Sequence, residues 1–203
     1  MTKKDYLKDI TEIKNIMNRS SRFLSLSGLS GILAGIYAII GALFAYYYLF
    51  PKNNEVIYFN SLTFKLIILD LTSIAFLSII SAFILSSNKA KRTGEPIWNK
   101  TTKRLLINFL IPLVTGGIYI LIKLSSQHYG LSASLMLIFY GLALVNASNF
   151  TLGDIKYLGY AEIILGLIST AFPGYGFWFW VLGFGIFHII YGTFMYIKEK
   201  QIN

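Results

Sequence analysis

From Phe23 to Phe50 no residue carries a charge. A bilayer core of about 30 Å needs roughly 20 apolar residues as helix, so this run alone is long enough to cross one. Five further apolar stretches follow, and the charges are crowded into the short segments between them. The expected spans are residues 23–50, 62–87, 104–123, 130–148, 157–173 and 176–197. Helices are expected because a lone strand in lipid leaves its backbone groups unpaired. The fold class is therefore all-α: an integral membrane bundle of six transmembrane helices (residues 23–203) preceded by an amphipathic helix (residues 1–22).

Charge supplies the threading. Only 13% of the residues are charged, against about 25% in a soluble domain. The formal net charge is nevertheless +9. With the N-terminus inside, fifteen lysines and arginines fall in inner segments and three (Lys52, Lys65, Lys123) in outer ones. This asymmetry places both termini in the cytoplasm. The basic residues then meet anionic lipid heads, and no nucleic-acid partner is expected. Trp178 and Trp180 are expected near the outer interface. The run 23–50 exceeds the 7–15 residues of a signal-peptide core, so the first span is expected to stay in place. The chain has no cysteine, which excludes disulfides and thiolate chemistry.

Residues 1–22 have a different pattern. Thr2 and Asp5 fit a capping box, and Tyr6, Ile10, Ile13 and Met17 share one helical face. The segment is expected to lie on the membrane surface or to pack beneath the bundle. Between spans two and three, Ser86–Arg104 reads as a solvated connector, with Thr101 or Thr102 capping the next helix. Pro112, followed by Gly116 and Gly117, marks the best place for a kink.

Small residues mark where helices can approach. In lipid the hydrophobic effect no longer favours helix contact, and packing takes over. Span one carries Ser27, Gly31 and Gly35 in one row and Ser30, Ala34, Ala38 and Ala42 in another. This side is expected to meet a helix of the same bundle, with a homodimer contact as the alternative.

Spans five and six each hold a glycine, an ionisable residue three later and a glycine four beyond. Gly159, Glu162, Gly166 and Ser169 form one stripe; Gly185, His188 and Gly192 form the other. At 1.5 Å per residue, Glu162 lies roughly 9 Å and His188 roughly 15 Å in from the inner surface. Asn108, Asn146 and Tyr191 fall in the same half. Intramembrane ionisable groups point to function by default. The candidate ligand-binding set is thus Glu162, His188, Asn108, Asn146 and Tyr191, around a polar cavity open to the cytoplasm. The same pair could instead lock the bundle structurally. Asp70 and Lys123 both lie about 28 Å above the inner surface and are expected to form a structural ion pair.

No HExxH, P-loop, GxSxG or dinucleotide fingerprint is present. No catalytic residue, metal site or cofactor is expected. The segments RLLINFLIPLVTGGIYIL, LIFYGLALVNAS and YLGYAEIILGLI, with FPGYGFWFWVLGFGIFHIIYG and MNRSSRFLSLSGLSGILAGIYA, resemble an uncharacterised family of bacterial six-span inner-membrane proteins. The resemblance covers nearly the whole chain. It implies an inner-membrane location and no particular activity; a neighbouring winged-helix regulator in such families would favour sensing. The reading from the residues is a non-enzymatic membrane protein that binds or senses a small ligand or lipid. The alternatives are a proton-coupled carrier and, third, a lipid-modifying intramembrane enzyme.

Overall fold

The computed structural model describes residues 27–49, 61–94, 96–151 and 154–202. They form six helical segments: α1 (Gly28–Leu49), α2 (Leu62–Thr93), α3 (Lys100–Ser125), α4 (Ser132–Ser148), α5 (Ile155–Ala171) and α6 (Gly176–Gln201). Four of them, α1, α2, α3 and α6, are long and apolar enough to cross a membrane. The other two have 17 residues each, about 25 Å of helix. The expected amphipathic helix of residues 1–22 lies outside the described residues.

Boundaries follow local chemistry. α2 continues to Thr93, beyond the expected end at 87, because the sequence NKAKR contains no helix breaker. It stops at Gly94, which takes the left-handed conformation (φ 69°) that glycine adopts without strain. α3 begins earlier than expected, at Lys100, and its cap is Asn99 rather than Thr101 or Thr102. The Asn99 side chain accepts from the Thr102 amide at 2.8 Å. Pro112 sits inside α3 without ending it. The second tight glycine, Gly174 (φ 94°), turns the chain between α5 and α6.

α6 is the centre of the molecule. It packs on α1 from one side and on α4 and α5 from the other; α2 flanks α1, and α3 flanks α4. The α1–α6 crossing uses the small residues expected of it. Gly31 lies against the Gly192 backbone, and Gly35 against that of Gly185 and Ile189, so any side chain added there meets main chain. Farther along, Ala38 and Ala42 are buried against Trp180. Trp180 therefore faces the core. Trp178 remains 55% exposed and joins an aromatic group, tilted against Tyr46 and edge-on to Phe177, which stack on each other.

α4 and α5 form the tightest pair. Gly141 meets the Gly159 carbonyl, and Gly166 meets Ser134 and Ile138. Buried Ser134 donates to buried Ser169 at 2.9 Å, which satisfies both hydroxyls without water. At the opposite end of the bundle from the aromatic group, charges tie the helices. Glu199 accepts the Gly28 amide at 2.8 Å and pairs with Lys89 at 3.0 Å, and Lys198 pairs with Asp154 at 2.8 Å. These contacts bring the start of α1 and the end of α2 to the end of α6, and the start of α5 there as well. The flanking helices stay apolar and exposed: Phe76, Phe83, Ile118 and Ile122 all face outward.

Candidate functional site

Three helices bring their polar groups to one point. α5 contributes Glu162, which is fully buried. Its buried face carries Gly159, Gly166 and Ser169 beside Leu158 and Leu165, and the small residues let α5 approach α4 closely where the carboxyl enters the α4–α5–α6 junction. α6 contributes His188, also buried. The residues just before it, Val181–Phe187, are wound as π-helix, an over-wide turn that occurs preferentially at functional sites. α4 contributes Tyr140, which no pattern in the sequence singled out.

The hydrogen bonds fix the imidazole. Its Nδ1 lies 3.0 Å from the Gly183 carbonyl oxygen. A carbonyl only accepts, so Nδ1 carries the hydrogen and Nε2 presents its lone pair. Tyr140 donates its hydroxyl to that lone pair at 2.8 Å. The ring forms a three-membered aromatic cluster, 5.3 Å from the Tyr140 centroid and 5.9 Å from that of Phe184, which are 5.0 Å from each other. Glu162 Oε1 stands 3.5 Å from Nδ1, too long for the ring's main hydrogen bond; the contact becomes an ion pair only when the ring is protonated. Neither carboxyl oxygen has a hydrogen-bond partner among the described residues. Gly183 is the reason the carboxyl fits: a side chain there would collide with Glu162 Oε2 and Leu137.

Glu162 and His188 therefore meet as expected, with Tyr140 as the third member. Its signal was available in principle, since a tyrosine deep in an apolar span needs a partner for its hydroxyl. The two asparagines join each other instead. Asn146 donates to the Asn108 carbonyl at 2.9 Å, and the Asn108 side chain donates to the Arg104 carbonyl at 2.8 Å. They hold α3 to α4. Asp70 and Lys123 are not brought together: among the described residues no ion pair joins them, and Asp70 lies beside Gly41 of α1. Among the described residues no three acidic, histidine or cysteine groups converge as a metal site would require.

Tyr191 belongs to a different feature. An open groove of about 350 Å³ runs between α5 and α6, lined by Tyr157, Leu158, Ala161, Phe187, Ile190, Tyr191 and Phe194. Its size is at the lower end of the range that holds small molecules. Its wall is apolar and aromatic rather than polar. The buried cluster and the groove are neighbours in the chain: Ala161 precedes Glu162, and Phe187 precedes His188.

Comparison with the profiles of known families, with characterised proteins and with solved structures finds no match.

Proposed function

We propose that this chain is a six-span, non-enzymatic protein of the bacterial inner membrane, with both termini in the cytoplasm, and that it binds a lipid or a small amphiphilic ligand. The observation that carries the reading is the aromatic groove between α5 and α6, open at the surface and one residue removed from Glu162 and His188. Four helices long and apolar enough to cross a membrane, with two 17-residue helices packed among them, support the span count, and the crowding of lysine and arginine into alternate connecting segments supports the orientation. A ligand seated against Ala161 and Phe187 presses on the two segments that hold the buried carboxyl and imidazole. That contact is the route by which occupancy would be sensed.

The test is mass spectrometry of whatever remains bound after extraction in native lipid. Wild-type protein should retain a specific species, and A161W, which fills the groove with an indole, should lose it. Equal retention by A161W would remove the groove from consideration.

A second reading, a proton-coupled carrier, is favoured by the continuous Tyr140–His188–Glu162 contact across three helices. It requires ligand-driven proton uptake into proteoliposomes that E162Q abolishes. The outer half offers it little help, because Asp70 and Lys123 do not meet.

A further inference from the structure

A charge stands beside one residue of the groove's lining, and this names the class of ligand. Tyr157 forms one wall, and the Lys156 ammonium lies 5.0 Å from the centroid of that ring. The cation is held over an aromatic face that attracts it. Three lysines stand at this end of the two helices. Lys198 is paired with Asp154, and Lys200 lies over the ring of Tyr196, which does not line the groove; Lys156, over Tyr157, has no carboxylate partner among the described ion pairs. The charge at the groove's edge is thus available to an anion from outside.

We infer that the groove holds one acyl chain of an anionic phospholipid, with the phosphate of that lipid on Lys156. The inference rests on the groove being the ligand site. Its physical basis is the solvent. Lipid tails are as apolar as the groove wall, so tail contact alone gives little advantage over the surrounding bilayer. What can distinguish one lipid from its neighbours is the head group. A basic residue at the membrane surface attracts anionic heads with an energy equivalent to about a five-fold preference. A free phosphate would gain nothing from the apolar wall, which commits the site to a lipid. The position agrees: Lys156 is the second residue of α5, at the end of the bundle where Lys198 pairs with Asp154 and Lys89 with Glu199.

The experiment uses the full chain in nanodiscs of phosphatidylcholine and phosphatidylglycerol, equal in amount and identical in acyl chains. Lipid retained on release is weighed by native mass spectrometry. Wild-type protein should retain phosphatidylglycerol about five-fold over phosphatidylcholine. K156Q should fall to near parity, K156R should keep the preference, and raised salt should erode it in the wild type. Lys156 is exposed, so these variants keep the fold. Equal retention of the two lipids by the wild type, or an undiminished preference in K156Q, would overturn the inference while leaving the groove intact as a site. Loss of both lipids in A161W supports the groove itself, and full retention there would overturn the groove and the inference with it.

Discussion

At the scale of single residues, the buried carboxyl is the unusual choice. Glu162 is completely enclosed, and its oxygens find no hydrogen-bond donor closer than the imidazole at 3.5 Å. A charge so placed costs several kcal/mol unless it is well paired. His188, by contrast, is satisfied at both nitrogens. The two therefore differ in what they give to stability. H188A should lose about 2–4 kcal/mol, since it opens a cavity and strands the Tyr140 hydroxyl. E162Q keeps the shape without the charge, and its thermal midpoint in mild detergent should match or exceed that of the parent. A fall of similar size in both variants would mean that the charged pair holds the helices together. Glu162 and His188 were legible because glycines flank each of them at helical spacing. Tyr140 was not, since it is one of 14 tyrosines and its own span shows no polar periodicity.

At the scale of elements, α6 carries the most information. Its upper turn buries Trp180 against α1, and its lower part sets His188 against α4 and Gly192 against α1. One regular helix would not present all three in these directions. The π-helical stretch Val181–Phe187 supplies the change of phase between them. Deleting Ile186 from that stretch should restore ordinary winding and rotate one half by about 100° against the other. The expected result is loss of the Tyr140–His188 contact or exposure of Trp180, read as a red shift in tryptophan emission with a lowered unfolding temperature. An unchanged spectrum and midpoint would show that the phase change is dispensable. Helix positions were readable from apolar length and charge. This local rewinding was not, because no residue type announces a π turn.

At the scale of the whole molecule, the arrangement is a row with α2 and α3 at its flanks and α6 in the middle. Sequence fixes how high a residue sits along its helix, since height follows from counting. It does not fix where that helix stands around the bundle. Asp70 and Lys123 were matched in height, yet one rides on the helix that flanks α1 and the other on the helix that flanks α4. The small-residue rows succeeded where the height argument failed, because they report which face must touch something. Threading is tested by thiol labelling, which the lack of native cysteine makes clean. In spheroplasts, a membrane-impermeant maleimide should label S126C and spare R92C until the membrane is breached. The reverse pattern would invert the proposed orientation.

The bond from the Gly28 amide to Glu199 joins positions 171 apart in the chain and closes one end of the α1–α6 contact. When α1 leaves the ribosome, its main neighbour is still roughly 10–30 s from being made at ordinary rates of translation. During that interval the glycine face of α1 must lie against lipid or against a temporary companion. The clasp closes late, and a chain stopped before α6 has neither the buried imidazole nor the partner that covers the glycine face of its first helix. Quality control that senses an uncovered glycine stripe would thus read completion and function as the same event.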